Sequence, residues 1–151
     1  MTEVPPRGLE QRLRDTRARL ESDIDLWVAT AGSPGGVHLI PLSFLWDGTA
    51  FLVSTPRASV TGRNLLADDR VRLSLGPTRD VVIVDGTAEP VDIADLGPET
   101  GDAFATKTGF DPSGLDEPYQ YFLIRPQRIQ AWREANELKG RVLMRDGRWL
   151  G

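Results

Sequence analysis

Thr55, Arg57, Ser59, Thr61 and Arg63 place three hydroxyls and two guanidinium groups within a short stretch ending at Gly62-Arg63-Asn64-Leu65. A strand predicted to end at Thr55 is followed by a short loop, and a helix is predicted over residues 59–67. Helix N-termini present backbone N–H groups without partners and a partial positive charge, so such a junction can hold an anion. Hydroxyl donors and the planar donor fork of arginine suit phosphate oxygens in particular. A plainer reading of the same residues makes Ser59 an N-cap and leaves the arginines in solvent.

Other chemistry finds less support. The chain has one histidine, His38, and no cysteine. Thiol catalysis, disulfides and cysteine metal sites are therefore excluded, and one imidazole with scattered carboxylates makes no metal constellation. His38 has a side chain suited to acid–base work near neutrality, but nothing in the sequence fixes a carboxylate beside it, and a strand surface residue is the simpler reading. No nucleophile elbow or P-loop is present. Asp92, Asp95, Glu99, Asp102, Asp111, Asp116 and Glu117 read as a solvated face and loop.

The elements that must position the 55–65 segment are mostly short strands. A helix over residues 9–21 carries Leu9, Leu13 and Leu20 near one face. Residues 26–30 read as a strand, closed by the turn residues Gly32, Ser33, Pro34, Gly35 and Gly36. Residues 37–46 alternate, with Ile40, Leu42 and Phe44 on one face and Leu39, Pro41 and Ser43 on the other. Asp47-Gly48 signals a two-residue hairpin into a strand over 50–54. Pro41 cannot donate to a ladder, which predicts an edge, a bulge or a backbone covered by something other than a strand.

Further on, residues 71–75 alternate as a strand, and 81–84 form an apolar run expected to be buried on both faces. Asp85-Gly86 predicts a turn or bulge before 87–91. A helix is expected over 92–108, weakened by Gly97-Pro98 and anchored by Phe104, followed by a loop over 109–118. Residues 119–125 and 128–133 read as strands separated by a turn at Pro126, and 142–145 with 148–150 as a last hairpin around Asp146-Gly147. Many short strands with hairpin turns and few helices predict a mainly β chain closed into an antiparallel barrel, since closure removes exposed edges.

With 151 residues the chain is expected to form a single domain, 1–151, with a flexible N-terminus over 1–8. Its net charge of −4 argues against nucleic acid as a partner. No apolar run approaches the ~18 residues of a membrane span, and the N-terminus lacks a secretory pattern, so the expected compartment is the cytoplasm. The basic residues are nearly all arginine, the lysines being Lys107 and Lys139.

Element order and local residues together resemble the FMN-binding split-barrel superfamily, the pyridoxamine 5′-phosphate oxidase-like proteins. The likeness runs through Trp27 to Thr30, the strand ending Trp46-Asp47-Gly48, Ser59 to Leu65, Asp68 to Leu73, and Arg128 to Trp132-Arg133. Around Gly62-Arg63-Asn64-Leu65 the subset using the deazaflavin F420 is especially similar. The resemblance implies a six-stranded antiparallel split barrel with a few short helices, and F420 or FMN as cofactor. It implies that Thr55, Ser59, Thr61 and Arg63 meet the cofactor phosphate, and that Leu39, Ile40, Pro41 and Leu42 run beside the ring. Trp132 matches an aromatic position that approaches the cofactor from the second subunit of a homodimer with sites at the interface; a core or interface tryptophan is the plainer alternative. Thr61 departs from the family, which often carries a basic residue there; Arg57 or Arg63 are the residues to compensate.

The implied activity is hydride transfer between the bound ring and a small conjugated or carbonyl substrate, chemistry that the cofactor itself carries. Two other readings stay open: an FMN-dependent oxidase of the pyridoxamine 5′-phosphate type, for which Arg141 and Arg145 are the candidates to hold a second phosphate, and a non-enzymatic cofactor- or haem-binding protein. Asn136, Glu137, Arg141 and Met144 are candidates for the substrate-side wall.

Overall fold

A computed structural model of the chain describes residues 4–32 and 36–151. Helix α1 (Leu9–Ser22) precedes strands β1 (Asp25–Gly32), β2 (Gly36–Trp46) and β3 (Phe51–Pro56). Helix α2 (Val60–Ala67) leads to β4 (Arg70–Leu75) and β5 (Val81–Val91). Helices α3 (Ile93–Leu96) and α4 (Pro98–Thr108) then cross to β6 (Tyr119–Trp132), and β7 (Val142–Arg145) with β8 (Arg148–Trp149) ends the chain. The strands run antiparallel in the order β3-β2-β1-β4-β5-β6, and β3 pairs with β6, which closes a six-stranded barrel; β7 and β8 extend the sheet beyond β6. This is the mainly β barrel that the turn spacing predicts.

Alternation of side chains sets the inside. Leu26 and Val28, Phe44 and Trp46, Phe51 and Val53, Leu73 and Leu75, Val82 and Val84, Phe122 and Ile124 fill one continuous core. Helix α1 closes one end with Leu13 and Leu20; Leu9 is exposed, and its place in the buried stripe is taken by Arg12 and Thr16. A second cluster forms where Phe104 of α4 packs edge-on against Tyr121 at 5.5 Å, over Leu52.

Several local expectations change in the fold. The connection after Trp46 spans residues 47–50, with the Asp47 carboxylate accepting from the N–H groups of Thr49 and Ala50 (2.8 and 2.7 Å), so it is a side-chain-capped turn, not a two-residue hairpin. Residues 81–84 alternate between half-buried and buried, because only one face looks into the barrel. The helix expected over 92–108 breaks at Gly97, whose φ of 86° no helix accommodates. Pro126 makes no turn. It sits inside β6 opposite Gly86, where the β5–β6 register shifts between Asp85 and Gly86 and leaves Gln127 as the extra residue of β6. A side chain at Gly86 would meet the Arg125 carbonyl at 2.6 Å. The last hairpin turns through Asp146 (φ 51°) and Gly147 (φ 76°), both left-handed as a two-residue turn requires. Ser33, Pro34 and Gly35 of the predicted first turn lie outside the described residues.

The segment before α1 is tied to the body. Arg7 donates to Glu137 from its backbone N–H (2.9 Å), Nε (3.0 Å) and Nη2 (2.7 Å), and the Val4 carbonyl accepts from Asn136.

Candidate functional site

Strands β2 and β3 pair only from Phe44–Val53 to Trp46–Phe51. Extending that register by three residues would set Pro41 directly opposite Pro56. The Phe44 N–H donates to the Ile24 carbonyl across the β1–β2 ladder (2.8 Å). Even-numbered residues of β2 therefore bond toward β1, and the backbones of Leu39 and Pro41 face the other way. On β3, the Arg57 N–H donates to the Pro118 carbonyl beside β6 (2.9 Å), which turns the backbones of Ser54 and Pro56 toward β2. Both donors of one prospective ladder rung are thus prolines, and no rung can form there. The strands part there, and the unpaired stretch between residues 36–43 of β2 and 54–56 of β3 is called the slot. Pro41 is on an open edge, one of the alternatives its position predicts.

Helix α2 begins where β3 leaves the slot. Ser59 is its N-cap: its Oγ accepts from the Gly62 N–H (3.0 Å) and donates to the Pro56 carbonyl (2.7 Å), and it lies 3.2 Å from Thr55 Oγ1. The Ser59 hydroxyl is therefore committed to local structure. The first intrahelical bond runs from the Arg63 N–H to the Ser59 carbonyl, which leaves the N–H groups of Val60 and Thr61 without acceptors among the described residues. The turn is held in place by close packing. A side chain at Gly62 would lie 2.6 Å from the Pro56 carbonyl oxygen and 2.7 Å from that of Arg57, so only glycine lets α2 seat against them. Asn64 Nδ2 donates to Thr30 Oγ1 (3.0 Å), locking α2 onto β1.

The charged and hydroxyl groups divide into two sets. Arg57 reaches the mouth of this end, its Nη1 donating to Gln120 Oε1 (2.6 Å). Gln120 is itself buried and donates to the carbonyls of Val91 and Tyr121. Arg63 is exposed on α2 without a hydrogen-bond partner among the described residues. Thr61 is fully buried, and its Oγ1 and the Ser54 Oγ have no partner among the described residues. The chance for Thr61 to meet an anion lies in its backbone N–H.

On β2, Ile40 and Leu42 face inward and are half-buried, while Leu39 and Pro41 face outward and are exposed. Cross-strand register sets Pro41, Trp27, Ser74, Ile83 and Gln130 in one outward row, with Leu39, Ala29, Arg72, Asp85 and Arg128 in the next. Trp132 shares this outer face, opposite Val81. Four inter-strand steps, about 19 Å along the sheet, separate β2 from β6 there. Within one chain the structure does not bring Trp132 to Leu39 and Pro41.

Of the residues named for a substrate wall, Met144 lies in the core and Glu137 is buried against Arg7. The Arg7 guanidinium and the Arg133 N–H bonded to it hold the Glu137 carboxyl at about 2. These two are structural. Arg141 bonds Gln130 Oε1 and the Leu138 carbonyl, and Asn136 is spent on the Val4 carbonyl. Sequence reasoning gave no role of their own to Pro56, Gln120 and Asn64, the last named only within Gly62-Arg63-Asn64-Leu65. Pro56 carried a readable signal, since a hairpin turn at residues 47–50 already sets it opposite Pro41. Gln120 and Asn64 act through contacts distant in sequence and had none.

The chain matches the family model for pyridoxamine 5′-phosphate oxidase over residues 14–133. A search of curated proteins gives no significant match. Among solved structures, a protein related to general stress protein 26 from Clostridium acetobutylicum is 18% identical, with a TM-score of 0.65, covering 83% of this chain and 90% of that one. An FAD-binding protein from Mesorhizobium loti is 16% identical (TM-score 0.63, covering 78% and 89%). An F420 reductase is 20% identical (TM-score 0.59, covering 75% and 94%). At these identities the likeness is one of fold. The closed six-stranded barrel, its split between β2 and β3 and the span of the match agree: the chain belongs to the pyridoxamine 5′-phosphate oxidase family of split barrels.

Proposed function

We propose that the chain is an oxidoreductase that holds F420 or FMN in the slot between β2 and β3, with the cofactor phosphate at the start of α2. The observation that carries this reading is the convergence of an open strand edge, kept open by Pro41 and Pro56, on a helix start with two free N–H groups. The residues fit such a group: Ser54 keeps a buried hydroxyl without a partner among the described residues, and the close seating of Gly62 on the Pro56 and Arg57 carbonyls fixes the first turn of α2 at the end of β3. Relatives in fold include an FAD-binding protein and an F420 reductase, which supports a flavin-type ring.

Bound there, the cofactor supplies hydride transfer to or from a small conjugated or carbonyl substrate. The chain's own residues orient and enclose it. The N–H groups of Val60 and Thr61 receive the phosphate, and Arg57, fixed by Gln120, supplies the charge that a basic residue at position 61 gives elsewhere in the family. Arg63 adds a second, free guanidinium. Leu39, Ile40, Pro41 and Leu42 form the wall against which the ring lies. Pro41 removes a donor there and leaves the carbonyls and the Leu39 N–H facing the slot.

The outer face bearing Trp27, Val37, Leu39 and Pro41 is apolar and exposed. A second copy covering it forms the homodimer that brings Trp132 of one subunit toward the slot of the other, a contact the sheet forbids within one chain. No described helix is long and apolar enough to cross a membrane.

Titration with FMN and with F420, followed by visible absorption and fluorescence, tests the reading and chooses the ring. Saturable binding of one, weakened by about 1.5–3 kcal/mol in Arg63→Ala if its charge-assisted bond is made, is the expected result. Failure of both to bind at micromolar concentration refutes it.

A further inference from the structure

Between the start of β6 and the two helices that precede it lies a cavity away from the slot. It measures about 370 Å³, within the ~300–1,000 Å³ range of small-molecule sites. Helices α3 and α4 supply Ile93, Leu96, Pro98 and Asp102, the turn at residues 111–113 supplies Asp111, and Tyr121 of β6 lies against it.

The lining carries charge of one sign. No basic side chain among the described residues lines the cavity, and neither Asp102 nor Asp111 has an ion-pair partner among them. Residues 92–117 hold seven acidic residues against Lys107 as their one basic residue. Lys107 sits over the Phe44 ring (4.2 Å) and not in the cavity. Hydrogen bonds from the hydroxyl and backbone N–H of Ser113 hold the Asp111 carboxyl below its ordinary value, so it stays ionised at neutral pH. Helix α4 starts beside the cavity, but Glu99 in its first turn sets an acid against the partial positive charge there.

An acidic rim alone is a solvated surface. Tyr121 sets this one apart. It is 1% exposed, and its ring is held edge-on by Phe104. Its backbone carbonyl accepts from Gln120, yet its hydroxyl has no hydrogen-bond partner among the described residues. A buried phenol ordinarily has one. The hydroxyl is not sealed in the core but opens on the cavity, on the side of Asp111. Burial, and then the charge of Asp111, raise it above its ordinary value, so it is neutral and able to accept a hydrogen bond.

Apolar walls beside carboxylates select among cations. A small hydrated ion gains nothing from Ile93, Leu96 and Pro98, whereas an ammonium group on an apolar body covers them. The N–H donors of such a group suit two carboxylates and a phenolic oxygen.

We propose that this cavity binds a small organic ammonium ion, its nitrogen held among Asp102, Asp111 and the Tyr121 hydroxyl and its apolar body lying on Ile93, Leu96 and Pro98. The site is separate from the α2 slot and does not rest on the cofactor assignment.

Phenethylammonium is the probe, titrated into the full chain at neutral pH with calorimetry and amide shift mapping. Phenethyl alcohol supplies the body without the charge, and methylammonium the charge without the body. The probe is expected to bind about tenfold or more tighter than either control, to shift the amides of Leu96, Gly101 and Ser113, and to weaken as salt rises. Tyr121→Phe keeps the ring against Phe104 and should lose about threefold or more in affinity. Asp102→Asn/Asp111→Asn keeps an oxygen to accept from Ser113 and should lose about tenfold or more. Absence of binding at millimolar concentration, equal affinity for either control, or unchanged affinity in either variant would each overturn the assignment. So would shifts confined to residues 37–42 and 59–63, which would place the amine in the slot.

Discussion

Replacing Glu137 by Gln removes the charge from a carboxylate that is almost wholly buried and clamps the N-terminal arm to the barrel. Hydrogen bonds from Arg7, with the backbone N–H of Arg133, hold this carboxyl at about 2 instead of its ordinary 4.5. That depression is worth about 3 kcal/mol of folding stability at neutral pH, in line with the cost of breaking a buried pair by removing one partner. A carboxyl held low contributes fully above its unfolded value and loses the contribution as pH falls through its folded one. The gap between parent and Glu137→Gln should therefore be about 3 kcal/mol at pH 7, about 1.4 at pH 3 and under about 0.5 at pH 2. Urea unfolding followed by tryptophan fluorescence across this range measures it, and at neutral pH the melting temperature should fall by about 6–12 °C. Arg7→Gln should cost a similar amount, with the double variant far from additive. A gap that stays constant between pH 7 and pH 2, or never exceeds about 1 kcal/mol, would refute the assignment of Glu137 as a charged clamp.

The slot itself makes the next forecast. Substituting both Pro41 and Pro56 by Ala restores the two missing donors of one rung, so the amides at 41 and 56 should become protected from hydrogen exchange while FMN or F420 affinity falls at least tenfold; exchange as fast as in an exposed loop would show that something other than the prolines parts the strands. Gly62→Ala should destabilise the chain by about 1–3 kcal/mol, since the new methyl meets two backbone carbonyls and not a movable side chain, and a thermal melt unchanged from the parent would mean that the helix can shift. Gln120→Leu releases Arg57 and should weaken cofactor binding about fivefold or more in a titration, with Arg57→Ala adding little beyond it; full additivity would separate the two residues. Trp132→Ala tests the dimer: cofactor fluorescence should change in the dimer, and a monomer on size-exclusion chromatography that still binds the ring would remove Trp132 from the site.

What the sequence determined by itself was the set of local decisions. The alternation of Ile40, Leu42 and Phe44 against Leu39, Pro41 and Ser43, the cap at Ser59, the anchor at Phe104 and the left-handed turn at Asp146-Gly147 each depend on residues close in the chain, where propensity and periodicity act directly. The spacing of short strands and turns carried the antiparallel barrel, and family likeness added its six strands and its split. Tertiary structure decided the rest, because it depends on which strand edges meet. Pro126 reads as a turn until Gly86 is placed opposite it, and the apolar run at 81–84 reads as doubly buried until the barrel assigns its outer face to solvent or a partner. Thr55, Ser59, Thr61, Arg57 and Arg63 look equally able to bind a phosphate in one dimension. Packing against Pro56, Thr30 and Gln120 spends the Ser59 hydroxyl, buries that of Thr61, orients Arg57 and leaves Arg63 exposed, and so gives similar candidates distinct surroundings.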